Sequence, residues 1–184
     1  MEETERSTSS FDETAEEVLA RRARSLALEA VEEETSGRLA LLLFRIGAEW
    51  YAVRLTAVRE IFQEYDVTKI PCVPGFILGV VNVRGEILSV TDPARMMGIG
   101  EIRSAEGVAP PAVVIADGDI ATALVVDEIG DIMEVAEEAL EGPVSIIDRS
   151  QAEFIAGSAV VEGSMVGLIN VERILEPIGS ANRT

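Results

Sequence analysis

Histidine is absent from this chain of 184 residues. That removes imidazole acid–base chemistry, a histidine-containing triad, a phosphohistidine carrier and the commonest metal ligand. Cysteine is nearly absent. Cys72 alone permits no internal disulfide and no cysteine-cluster zinc site, which points to a reducing compartment. Lysine occurs once, at Lys69, and aromatic residues make up only 4% of the chain, so Val, Ile, Leu and Ala must fill the core. Long apolar runs are missing too: stretches such as Phe76–Val81 are far too short to span a bilayer. The acidic N-terminus lacks the basic region and apolar core of a signal peptide. The expectation is a soluble, cytoplasmic protein.

Acidic residues, in contrast, abound. The formal charge is −18, with 33 Asp and Glu against 15 Lys and Arg. Such a balance repels phosphate backbones and anionic membrane surfaces. An oligonucleotide-binding barrel is opposed on the same ground, and by the scarcity of aromatics. The apolar fraction of 48% is enough for one domain of ordinary size with an extension.

The organisation expected is a polar, acidic start with an amphipathic helix over 1–36, a folded domain over 37–178 and a frayed tail at 179–184. In the first part Leu19, Ala23, Leu26 and Ala30 recur on one helical face from about residue 12 to 34. That stripe is thin and must lean on something, either its own domain or a partner. From Arg38 onward the pattern is β, punctuated by tight turns. Hairpins are expected around Gly47-Ala48, Arg84-Gly85, Asp117-Gly118 and Glu162-Gly163. Thr56–Phe62 reads as a short helical or irregular edge, and a helical turn is expected to follow Asp92-Pro93. Ile99–Ala109 reads as a crossing between halves, and Val171–Leu175 as a short closing helix. Four short hairpins with few helices between them indicate an all-β chain of antiparallel barrels, here two small barrels sharing strands.

Few residues offer chemistry. Asp117 ends a strand as a receiver phosphoacceptor would, but the acidic pair, the later lysine and the parallel strand–helix alternation are missing. Asp127, Glu128 and Asp131 could serve a metal-dependent hydrolase, yet no loop has calcium-site spacing. Gly98-Ile99-Gly100 lacks the third glycine of a dinucleotide site. Cys72 has no cationic neighbour to activate it. Arg84 differs from these: a permanent charge held at a rigid turn, with Glu60 upstream between Val58 and Ile61. The two are expected to face each other at a protein-docking surface, where the planar guanidinium can engage carboxylates bidentately.

Val58-Arg59-Glu60-Ile61, then Pro71 and Pro74 with Gly75 to Gly85 (GFILGVVNVRG), resembles the CheW-like domain. Leu124 to Ile129, Ile155-Ala156-Gly157 and Gly167 to Leu175 follow in that family's order, so the likeness runs from about Arg38 to Pro177. Ser89, Pro93 and Ala123 depart from the family's usual proline, leucine and glycine. The resemblance implies two intertwined five-stranded, SH3-like barrels behind an N-terminal helical extension. It also implies a non-catalytic adaptor, without cofactor or metal, that couples methyl-accepting chemoreceptors to a CheA-type histidine kinase in membrane-anchored arrays. A pilus-motility or other non-flagellar pathway is the alternative setting. Carried over, the receptor groove would include Leu55, Val58, Glu60, Arg84 and Ile129. Kinase-facing surfaces would lie at Val67 and Thr68 on one barrel, and at Glu141 and Ile146 on the other.

Overall fold

The computed structural model describes residues 37–102, 109–142 and 149–181. The expected helix over residues 12–34, and Ile146, lie outside them. Ten strands dominate: β1 (Arg38–Ile46), β2 (Glu49–Arg54), β3 (Val58–Phe62), β4 (Ile77–Val83), β5 (Glu86–Thr91), β6 (Ala112–Asp117), β7 (Ile120–Val125), β8 (Glu128–Ala136), β9 (Ile155–Val161) and β10 (Ser164–Ile169). They form two five-stranded sheets, ordered β8-β1-β2-β10-β9 and β3-β6-β7-β5-β4. All four expected hairpins are present.

The strand orders disclose an internal repeat. Exchanging β1 to β5 with β6 to β10, each for its counterpart, turns one sheet order into the other. The chain therefore runs twice through the same course of five strands and a helix, Pro93–Met96 the first time and Val171–Ala181 the second. Each sheet takes two strands from one pass and three from the other. The sheet of β1, β2 and β8 to β10 is called the terminal barrel here, and that of β3 to β7 the central barrel. Strands are not shared between them; the chain is interlaced instead.

Each barrel is joined at its open side by one short bridge. Thr68, downstream of β3, exchanges two 2.9 Å hydrogen bonds with Val80 of β4. Glu141, downstream of β8, does the same with Ser158 of β9, at 2.8 and 2.9 Å. Such close approach needs glycine at the neighbouring position. A Cβ at Gly79 would run into the Thr68 carbonyl, and one at Gly157 would sit 2.6 Å from the Glu141 carbonyl.

Burial explains the strand sequences. Leu39, Leu41 and Leu43 of β1 fill the terminal barrel, whereas Leu42, Phe44 and Ile46 face a layer shared by both barrels. A strand buried on both faces needs the nearly continuous apolar run seen in RLALLLFRI. β6 follows suit: Ala112 and Val114 turn inward, Val113 and Ile115 into the shared layer.

Three local expectations change. Val58–Phe62 is a strand, entered through a 3-10 turn at Leu55–Ala57. The chain crosses between sheets at that turn and again at Val126-Asp127. The Ile99–Ala109 stretch instead links β5 to β6 within the central barrel. The closing helix runs to Ala181 despite Pro177, because Ile178 packs on the shared layer and Gly179 lies against Ile120, whose Cδ1 would be 2.7 Å from a Cβ there. Asp92 caps the first helix: wholly buried, it accepts from the Ala94, Arg95 and Ile102 backbones and pairs with Arg95.

Candidate functional site

The β4–β5 turn is tight because two successive residues adopt positive φ, Arg84 at 52° and Gly85 at 91°. Asn82 steadies it by accepting from the Gly85 N–H at 2.8 Å. Glycine takes this conformation freely, but arginine pays about 1 kcal/mol for it. An arginine kept there despite the strain points to a use for its guanidinium.

That group reaches across the open side of the barrel. Arg84 Nη2 lies 2.7 Å from Glu60 Oε1 on β3, with the arginine side chain 65% exposed and the glutamate 17%. An exposed pair of this kind contributes no more than about 1 kcal/mol to stability. Its main effect is orientation: the carboxylate holds one edge of the guanidinium and leaves donors facing solvent. Arg59, next on β3, points elsewhere. It donates to the Gly118 carbonyl at 2.8 Å and pairs with Glu86 at 3.5 Å.

β3, which carries Glu60, and its counterpart β8 also carry an apolar seam. Val58 and Ile61 of β3 and Ile129 and Ile132 of β8 are half-buried and pack against the shared layer. Val58 pairs with Ile115, and Ile129 with Phe44. Leu55, expected in the groove, is instead fully buried, so it supports the seam from beneath and offers no surface. Sequence reasoning missed Ile61 and Ile132. Only the strand order exposes them: VREIF of β3 and IGDIM of β8 then occupy the same place in the repeat.

The two other expected contact regions are the bridging segments. Val67 is 36% exposed and Thr68 is exposed, in a segment that also presents Ile70 and Val73. Tyr65 anchors the segment, its ring edge-on to Phe62 at 5.0 Å and its hydroxyl donating to the Pro110 carbonyl at 2.7 Å. Burial pushes the Tyr65 phenol up to about 12. Glu141 is exposed at the equivalent place on the terminal barrel.

The carboxylates considered for metal chemistry are spread over separate tasks. Asp127 accepts from the Gly47 N–H at 2.6 Å, and Glu128 pairs with Arg45 at 3.0 Å. Among the described residues no group of three or more potential ligands is placed to hold a metal ion. Asp117 and Cys72 are exposed, the first at a turn. No described helix is long and apolar enough to cross a membrane.

Comparison with known proteins identifies the family. The profile of the CheW-like domain matches residues 40–178. The probable chemotaxis protein CheW of Rhizobium etli is 30% identical over 146 residues, covering 79% of this chain and 92% of that protein. Protein PilI of Pseudomonas aeruginosa is 25% identical, over 62% of this chain and 63% of its own length. The crystal structure of the scaffolding protein TtCheW from Thermoanaerobacter tengcongensis superposes with a TM-score of 0.64 at 27% identity. The match covers 72% of this chain and 88% of that one.

Proposed function

We propose, from the premise that this chain belongs to the CheW-like domain family, that it couples methyl-accepting chemoreceptors to a CheA-type histidine kinase and catalyses no step itself. The observation that carries the reading is the 2.7 Å pair of Glu60 and Arg84 together with the apolar seam of Val58 and Ile129. An amphipathic helical hairpin of a receptor lays its apolar side chains on the seam, and an acid of that hairpin meets the spare donors of Arg84. The kinase is held elsewhere, at the bridging segment of Val67 and Thr68 and around Glu141 and Ile146. Two faces used at once let modest contacts add up to a stable assembly on membrane-anchored arrays within the cytoplasm.

Arg84→Glu tests this. It reverses the charge at an exposed turn, so the fold should persist while capture of a receptor-tip fragment falls to background. Retention equal to that of the unaltered chain, with circular dichroism also unchanged, removes Arg84 from the receptor contact. A second setting is a pilus-motility or other non-flagellar pathway. Receptor fragments from flagellar and pilus systems, offered in competition, separate the two.

A further inference from the structure

We infer that the terminal barrel supplies the other end of the docking groove, an anionic end that takes an Arg or Lys of the receptor helix and so fixes the direction in which that helix lies. This rests on the receptor-docking reading above. The argument starts from the repeat. Ile129 stands where Val58 does: both are half-buried on the shared layer, and in both strands the register shifts directly afterwards. Ile132 and Ile61 also face that layer, while Met133 and Phe62 turn into their own barrels. Asp131, exposed, therefore holds the place of Glu60. At the hairpin tips Glu162, with φ of 50°, holds the place of Arg84, with φ of 52°, and each precedes a glycine of positive φ.

In the central barrel these two places are joined by an ion pair, which shows that side chains there reach each other. In the terminal barrel both carry carboxylates. Neither Asp131 nor Glu162 has a side-chain hydrogen bond or ion pair among the described residues. Beside them, Val160 and Met165 face each other across β9 and β10 at 70% and 60% exposure, an apolar pair that no described residue covers. A partner therefore meets spare guanidinium donors at one end and apolar surface rimmed by two unpaired acids at the other. The occupant that fits is a receptor helix with an acid towards one end, an Arg or Lys towards the other and apolar residues between. Laid in reverse, it would place like charges together at both ends, which is a strong rejection. An arginine suits the anionic end best, since its fork can serve both carboxylates.

The test is titration calorimetry of the full chain with a receptor-tip helical hairpin at low salt. The double variant Asp131→Lys with Glu162→Lys should bind about tenfold more weakly or worse, and the deficit should shrink as salt is raised. A hairpin whose cationic residue is replaced by Glu should recover affinity for that variant and lose it for the unaltered chain. Equal affinity of the double variant and the unaltered chain, while Arg84→Glu abolishes binding, overturns the anionic end and leaves the docking reading standing. Binding that survives Arg84→Glu as well overturns both.

Discussion

The two barrels are built alike inside and differently at their rims. In both, a bridge of two hydrogen bonds faces a glycine, Gly79 in one and Gly157 in the other. In both, a phenylalanine carbonyl accepts from the residue that starts the helix: Phe76 from the Asp92 N–H at 2.8 Å, Phe154 from the Asn170 N–H at 2.7 Å. These contacts hold the backbone, and the two passes of the chain keep them. The rims differ in charge: Arg84 with Glu60 is an ion pair that sums to zero, whereas Glu162 and Asp131 are both acids. What is fixed by packing recurs in both passes, and what faces solvent differs between them.

The comparison breaks first if the barrels separate. Phe44 belongs to the layer that both share, and Phe44→Ala should cost about 3–5 kcal/mol. Denaturant unfolding should remain one transition, with Trp50 fluorescence from the terminal barrel and far-ultraviolet dichroism coinciding. Two transitions would mean that the barrels fold independently. A finer contrast comes from the glycines. Gly79→Ala and Gly157→Ala should each cost on the order of 1–3 kcal/mol by overpacking. Gly79 should cost more, because its φ of 151° disfavours a side chain and Val67 Cγ1 also lies within 2.7 Å of the new Cβ. Equal costs would erase that difference between the bridges.

The smallest effect uses the two tyrosines, one for each barrel: Tyr51 on β2 and Tyr65 beyond β3. Burial raises both phenols, and Glu49, which accepts from the Tyr51 hydroxyl at 2.7 Å, adds to the shift there. A raised phenol value means the unfolded chain loses its proton first. The associated stability is complete below pH of about 10 and is lost as pH climbs through about 12. Tyr65→Phe should make that alkaline decline shallower. Below it the variant should lose only the bond to Pro110, about 0.5–1.5 kcal/mol. An unchanged alkaline slope would show that Tyr65 titrates freely.

The hairpins were legible because their turns carry Gly at positions that demand positive φ, as at Gly47, Gly85, Gly118 and Gly163. β3 was not, because its register shift between Val58 and Glu60 breaks the alternation that marks a strand. The crossings were hidden for a different reason. Leu55 and Val126 are apolar and buried, so the sheet changes where the sequence shows no loop. The last helix runs past its expected end at Leu175, because Ile178 packs on the shared layer and Gly179 lies against Ile120. At the candidate site, the acid and the arginine could be picked out as a charged pair on an apolar edge. The matching positions on β8 could not, since IGDIM resembles VREIF only once the strand order is known.

Interlacing also sets a timetable for synthesis. β1 and β2 leave the ribosome first, yet three of the strands of their barrel are among the last to be made. Until then the face of the early hairpin that carries Leu39, Leu41 and Leu43 lacks the β8 to β10 residues it packs against. A message cut short before β7 would thus leave both sheets incomplete, whereas one cut between β7 and β10 would leave the central sheet with all five strands and the terminal sheet without the strand that pairs with β2.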